Sequence, residues 1–132
     1  MGLKDIGTVK ETTDVELLHP STGEVLLNDD GTPMTITVYG QYSSTYKAVS
    51  HAQQNKRLMK AQRTGGKMNL NAEELEAAAM DLLVKCTAGW NITLDKKPED
   101  FSHDKVRQVY QEYPWVREQV DAVFGDTRAF LG

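Results

Sequence analysis

The stretch from Gly89 to Phe130, GWNITLDKKPEDFSHDKVRQVYQEYPWVREQVDAVFGDTRAF, constrains the fold more than any other part of the chain. It holds both tryptophans and the clearest local grammar. Phe101 and Val106 bracket Ser102 as a hydrophobic staple brackets an N-cap, and Pro114 stands where a second helix can begin. Val106, Val109, Tyr110 and Tyr113 repeat at three, one and three. Val116, Val120, Val123 and Phe124 repeat at four, three and one before Gly125. Two short helices are expected, packed on a longer one through these faces, with Trp90, Trp115 and Phe130 in the core. Nothing in the stretch suggests chemistry, which points to a protein that holds another protein.

The longer helix is expected from Asn71 to about Gly89. Asn71 with Glu74 forms a capping box, and Glu73, Glu74 and Glu76 place negative charge at the positive end of the dipole. Leu75, Ala79, Leu82 and Cys86 supply its apolar stripe, widened by Leu83. Cys86 has no second Cys and no His at ligand spacing, so an ordinary buried thiol is expected.

The first third of the chain reads differently. Residues 1–13 are polar and threonine-rich without periodicity, as in a flexible arm. Val15 to Leu18 and Glu24 to Leu27 have strand character about the turn His19-Pro20-Ser21-Thr22-Gly23. A second turn, Asn28-Asp29-Asp30-Gly31, leads to the strand Met34 to Tyr39, in which Met34, Ile36 and Val38 alternate with Thr35, Thr37 and Tyr39. An antiparallel β-meander over 14–40 follows. The acidic turn does not fit an EF-hand loop, because Gly31 as the sixth position puts Leu26 at the first, where a carboxylate must stand.

Between these halves, Ser43 or Ser44 can cap a helix that runs to about Arg63 and stops at Gly65-Gly66. Tyr42, Val49, Ala52 and Met59 form a thin apolar stripe, too thin for burial on several sides. Charge singles the region out. The chain carries a formal net charge of −4, yet residues 31–72 hold six bases and no acid, against seven acids and two bases before them and twelve acids and seven bases after. Such a basic block either balances the acidic flanks within one fold or meets an acidic partner. The candidate partner-binding residues are Lys56, Arg57, Met59, Lys60 and Arg63, with Met68 a further adaptable apolar contact.

The expected fold class is therefore α+β, mainly α. A small N-terminal antiparallel meander precedes a bundle of about four helices over 43–132, in a single domain covering 1–132. A chain of 132 residues can build one core without staples. One cysteine precludes an internal disulfide, the first residues lack a secretory apolar run, and no segment nears the roughly 20 apolar residues of a membrane span. A reducing cytosol is the expected compartment, and Asn91-Ile92-Thr93 carries no meaning as a glycosylation acceptor there. His19, His51 and His103 are dispersed, and no GxGxxG, Walker A or GxSxG run occurs, so neither catalysis nor a cofactor or metal is expected.

A family resemblance rests on Trp90, Phe101-Ser102, Tyr110, Tyr113-Pro114-Trp115-Val116, Gln119-Val120, Phe124, Asp126 and Phe130. In the front half it rests on His19-Pro20, Thr22-Gly23-Glu24, Met34 to Val38, Gly40, Ser43 and Tyr46-Lys47. This pattern, over about residues 15–130, resembles the tail assembly chaperones of long-tailed bacteriophages. The resemblance implies a protein of the host bacterial cytoplasm that binds the tape measure protein, keeps it soluble, and assists polymerisation of the tail tube protein around it. It also implies absence from the mature virion, and the residues ending at Gly132 suit the short product of a gene that can frameshift. Self-association into a homo-oligomer is compatible with this. The alternative is a structural virion subunit of the tail or head-tail connector. A third reading, nucleic-acid binding through the basic 47–67 segment, ranks last because Tyr46 is the lone aromatic available there to stack bases.

Overall fold

The computed structural model of the chain describes residues 2–63, 65, 71–95 and 97–131. Gly66, Lys67, Met68, Lys96 and Gly132, which entered the sequence reading, lie outside the described residues. The fold is α+β and mainly α. In chain order the elements are α1 (Leu3–Ile6), β1 (Thr12–Glu16), β2 (Thr35–Tyr39), α2 (Ser44–Arg63), α3 (Ala72–Lys85), β3 (Thr87–Asn91), α4 (His103–Glu112) and α5 (Pro114–Phe124). A 3-10 turn, Thr127–Phe130, follows.

The three strands form one antiparallel sheet in the order β1-β2-β3, with Asp14 opposite Thr37 and Ile36 opposite Trp90. The central strand follows from alternation: Ile36 and Val38 are fully buried, and Thr35, Thr37 and Tyr39 are half-buried on the other face. The third strand corrects the sequence reading. The helix from Asn71 ends at Lys85, not near Gly89, and Thr87–Asn91 pairs with β2. The meander therefore gains a strand from the middle of the chain. Glu24 to Leu27 stays outside the three-stranded sheet but pairs on both sides as short antiparallel bridges, Leu18 with Val25 and Leu27 with Pro33: Leu26 N–H donates to Leu17 O at 2.9 Å, and Met34 N–H donates to Leu26 O at 2.8 Å. Gly31, at φ +86°, closes the Asn28 turn, where L side chains are strained.

Helices α4 and α5 form as their caps demand. Ser102 Oγ accepts from Lys105 N–H at 3.1 Å, and Pro114 opens α5, its missing N–H being one that a helix start leaves unpaired anyway. Val106, Val109 and Tyr110 of α4 and Val116 and Val120 of α5 are buried with Ile36, Val38, Leu83, Val84 and Phe130 in one core. Each such side chain contributes roughly 1.5–3 kcal/mol on burial. A buried polar relay runs through this core. Thr87 Oγ1 donates to Leu83 O at 2.8 Å and lies 2.8 Å from the Tyr110 hydroxyl, which can then donate to it.

The packing face of α3 also departs from expectation. Leu75 is 49% exposed and Ala79 is exposed, whereas the later stripe residues Leu83 and Cys86 are buried as expected and Met80 and Val84 join them toward the core. With alanine or leucine at seven of the fourteen positions of this helix, apolar spacing alone cannot set its phase. The polar N-terminal segment is held at its end by the last residues: Lys10 N–H donates to Phe130 O at 2.6 Å, and Val9 bridges Leu131. β1 already begins at Thr12, within the stretch read as an arm. Phe130 in turn lies on Gly40, where any Cβ would come within 2.9 Å of its ring. Among the described residues, no helix is long and apolar enough to cross a membrane.

Candidate functional site

Two surfaces border this core. The first is an open apolar pocket of about 320 Å³ at the junction of α4 and α5. Its floor is Leu17, Met34, Ile92 and Val116, and its rim carries His19, Trp115 and Leu94. His19 is set by its own turn, its Nδ1 accepting from Ser21 N–H at 3.1 Å and from Thr22 N–H at 3.3 Å. The neighbouring wall is tied to α5 by Gln119, whose amide accepts from Leu18 N–H and donates to Leu18 O, both at 2.8 Å. That pair of bonds imitates a strand partner and fixes Leu18, just before the His19 turn, against the helix. Asn28 secures the far side, donating to Asn91 O at 3.2 Å and accepting from Thr93 Oγ1 at 2.7 Å.

Trp115 is half-buried in the pocket wall, its ring 6.2 Å from that of Tyr113 in an edge-on arrangement. Trp90 is also half-buried, donating from Nε1 to Glu99 O at 2.9 Å and meeting Phe101 edge-on at 5.5 Å. Of the three aromatics expected in the core, Phe130 alone is fully enclosed, at 2% exposure. The pocket was not legible in sequence, because its lining comes from five separate stretches. The available signal was the pairing of His19-Pro20 with Tyr113 and Trp115, which the fold brings to one cavity.

The second surface is α2. Ser43 caps it, accepting from Tyr46 N–H at 3.1 Å and donating to Gly40 O at 2.7 Å, and the Tyr46 ring lies 5.7 Å from that of Phe124. Beyond this anchored base, α2 runs alongside α3, linked by Gln53 Nε2 donating to Ala78 O at 2.9 Å. Ala61 is the one buried residue of α2. Of the thin apolar stripe, Tyr42, Ala52 and Met59 are exposed and Val49 is half-buried. The inward line is Tyr46, Ser50, Gln53, Arg57 and Ala61 instead.

The five candidate residues all lie in the second half of α2, but they divide. Arg57 and Lys60 line the groove shared with Glu74 and Asp81 of α3, and Lys60 Nζ is 3.4 Å from Glu74. Met59 and Arg63 are exposed on the other side, and Lys56 stands at the boundary. The acids of α3 also serve the core helices: Asp81 is 3.0 Å from both Lys85 and Arg107, and Glu76 pairs with Arg117. Part of the basic block is thus balanced within the fold.

The shifted ionisable groups follow from burial and from bonds within the fold. Burial pushes the Cys86 thiol up to about 11, so the sulfur is a thiol at neutral pH and a poor nucleophile. Burial likewise raises the Tyr110 hydroxyl, against the opposing bond from Thr87. Bonds from the Thr32 side chain and backbone hold the Asp30 carboxyl below its usual range within the turn. Among the described residues, no three His, Cys, Asp or Glu side chains gather as a metal site. Compared with family models, curated proteins and solved structures, the chain matches none of them.

Proposed function

We propose that this protein is a tail assembly chaperone of a long-tailed bacteriophage, a non-catalytic protein that binds the tape measure protein and assists polymerisation of the tail tube around it. The observation that carries this reading is the convergence of the two sequence blocks behind the resemblance. His19-Pro20 from the front half and Tyr113, Trp115 and Val116 from the back half line one open apolar pocket. A pocket of about 320 Å³ floored by leucine, methionine and isoleucine accepts an apolar side chain of a long amphipathic helix, and a methionine lining adapts to successive different ones. The site of action is the host bacterial cytoplasm, and the protein is left out of the finished particle.

Co-expression with the tape measure protein of the same phage tests this. The expected result is that the tape measure protein stays soluble with the chaperone and aggregates without it. Unchanged solubility and unchanged tail formation in the absence of the chaperone would overturn the reading. The second reading, a structural tail or connector subunit, is separated by mass spectrometry of purified particles, where a structural subunit appears in fixed stoichiometry and a chaperone does not.

A further inference from the structure

The least satisfied element of the molecule is an exposed line on α2 that starts at the rim of the α3 groove, where Ala48, Ala52 and Lys56 face Asp81 and Lys85, and runs out to Met59 and Arg63. Ala48, Ala52, Lys56, Met59 and Arg63 follow one another at four, four, three and four residues, which places them in one line along the helix. All five are exposed, Met59 by 57%. Leu58, 55% exposed, stands one position from this line. The helix has twenty residues and contains no acid, so it cannot form the intrahelical ion pairs that usually support an exposed helix. Its neighbours do not fill the deficit. Glu74, Glu76 and Asp81 of α3 are engaged by Lys60, Arg117, Lys85 and Arg107. Among the described residues, Lys56 and Arg63 have no carboxylate within 4.0 Å.

We infer that this line is a docking strip for an acidic amphipathic helix of another chain. The inference deepens the proposed function and rests on it for the source of that helix. The argument is complementarity of charge and shape together. Two alanines let a partner backbone approach closely, Met59 supplies a flexible apolar knob, and Lys56 and Arg63, seven residues apart, share one heptad position and form a single charged edge beside it. A partner helix with an apolar seam bordered by Glu or Asp would cover Met59 and provide the missing counter-charges. Polar helices without burial are marginal in water, so α2 would gain most from such a cover.

The test uses the full chain and two designed helical peptides of about three heptads, with leucine at the seam positions and either glutamate or lysine at the flanking ones. Fluorescence anisotropy at low salt is expected to show binding of the glutamate peptide and none of the lysine peptide. The paired substitutions Lys56→Glu and Arg63→Glu should weaken the glutamate peptide by at least about tenfold and create binding of the lysine peptide. Both positions are exposed, and an unchanged far-UV circular dichroism spectrum confirms the fold. Met59→Gln should weaken binding by several-fold without changing its salt dependence. The inference is overturned if the glutamate peptide fails to bind the parent chain, if the paired variant binds it equally well, or if a DNA duplex of similar length binds more tightly than the peptide. Neither peptide requires the tape measure protein. A failure here therefore leaves the chaperone reading standing, and a failure of co-expression leaves the strip standing.

Discussion

Helices α2 and α4 invert the usual relation between length and burial. The first has twenty residues and buries Ala61; the second has ten and buries Val106, Val109 and Tyr110. The short helix is held by its apolar face against the sheet and by the Ser102 cap. The long one is held at its base by Ser43 and Tyr46, and along its length by a groove of polar and charged side chains. Each part draws its stability from a different source. The sheet with α4 and α5 is a hydrophobic scaffold, while the second half of α2 depends on contacts worth tenths of a kcal/mol each, as exposed pairs are.

That contrast can be broken first at its strongest point. Phe130→Ala removes a ring enclosed between Gly40 and the core and is expected to lower the unfolding free energy by about 3–5 kcal/mol in urea titration. A loss below about 1 kcal/mol would mean that the C-terminal turn is not part of the scaffold. Next comes the buried relay. Thr87→Val leaves the Tyr110 hydroxyl without its partner at 1% exposure and is expected to cost about 1–3 kcal/mol by the same measurement.

Asp81 lies where the two regions meet. Burial pushes its carboxyl up, but the bonds and charges of Lys85 and Arg107 outweigh this and hold it below the usual range. A depressed carboxyl contributes stability that is present above its unfolded value, about 3.9, and is lost as pH falls through the folded value. Asp81→Asn is therefore expected to lower the midpoint of thermal unfolding at pH 7, and the gap from the parent chain should close below about pH 4. A gap that stays constant with pH would show that the ion pairs do not link α3 to α4. The smallest effect belongs to α2. Met59→Ala should change stability by no more than about 0.5 kcal/mol, because its side chain touches water rather than the core.

Much of the scaffold was legible residue by residue. The Ser102 cap, the proline start of α5 and the alternation of Ile36 and Val38 are local rules, and the structure follows them, whereas Phe101 is exposed and meets Trp90 and His103. β3 was hidden because Thr87-Ala88-Gly89-Trp90-Asn91 combines two small residues with no alternation and follows α3 almost without a turn. Its extended form is imposed by pairing with β2, a tertiary effect that overrides weak local preference. The phase of α3 was lost for a related reason: apolar residues on several sides leave the choice of inner face to the neighbours. For the candidate surfaces the division is similar. The charge asymmetry of α2 marked Lys56, Met59 and Arg63, but which cations turn toward α3 follows from Glu74 and Asp81 across the groove. The pocket needed the whole fold.

Hydrogen exchange along the chain, read by mass spectrometry with and without the glutamate-flanked peptide, tests the central claim most directly. In the free protein, amides of β2, α4 and α5 should be protected to near the global stability, and those of the second half of α2 should exchange far faster. Added peptide should slow exchange within 44–63 and leave the scaffold unchanged. Core-like protection of α2 in the free protein, or protection gained elsewhere while 44–63 stays fast, would contradict the account.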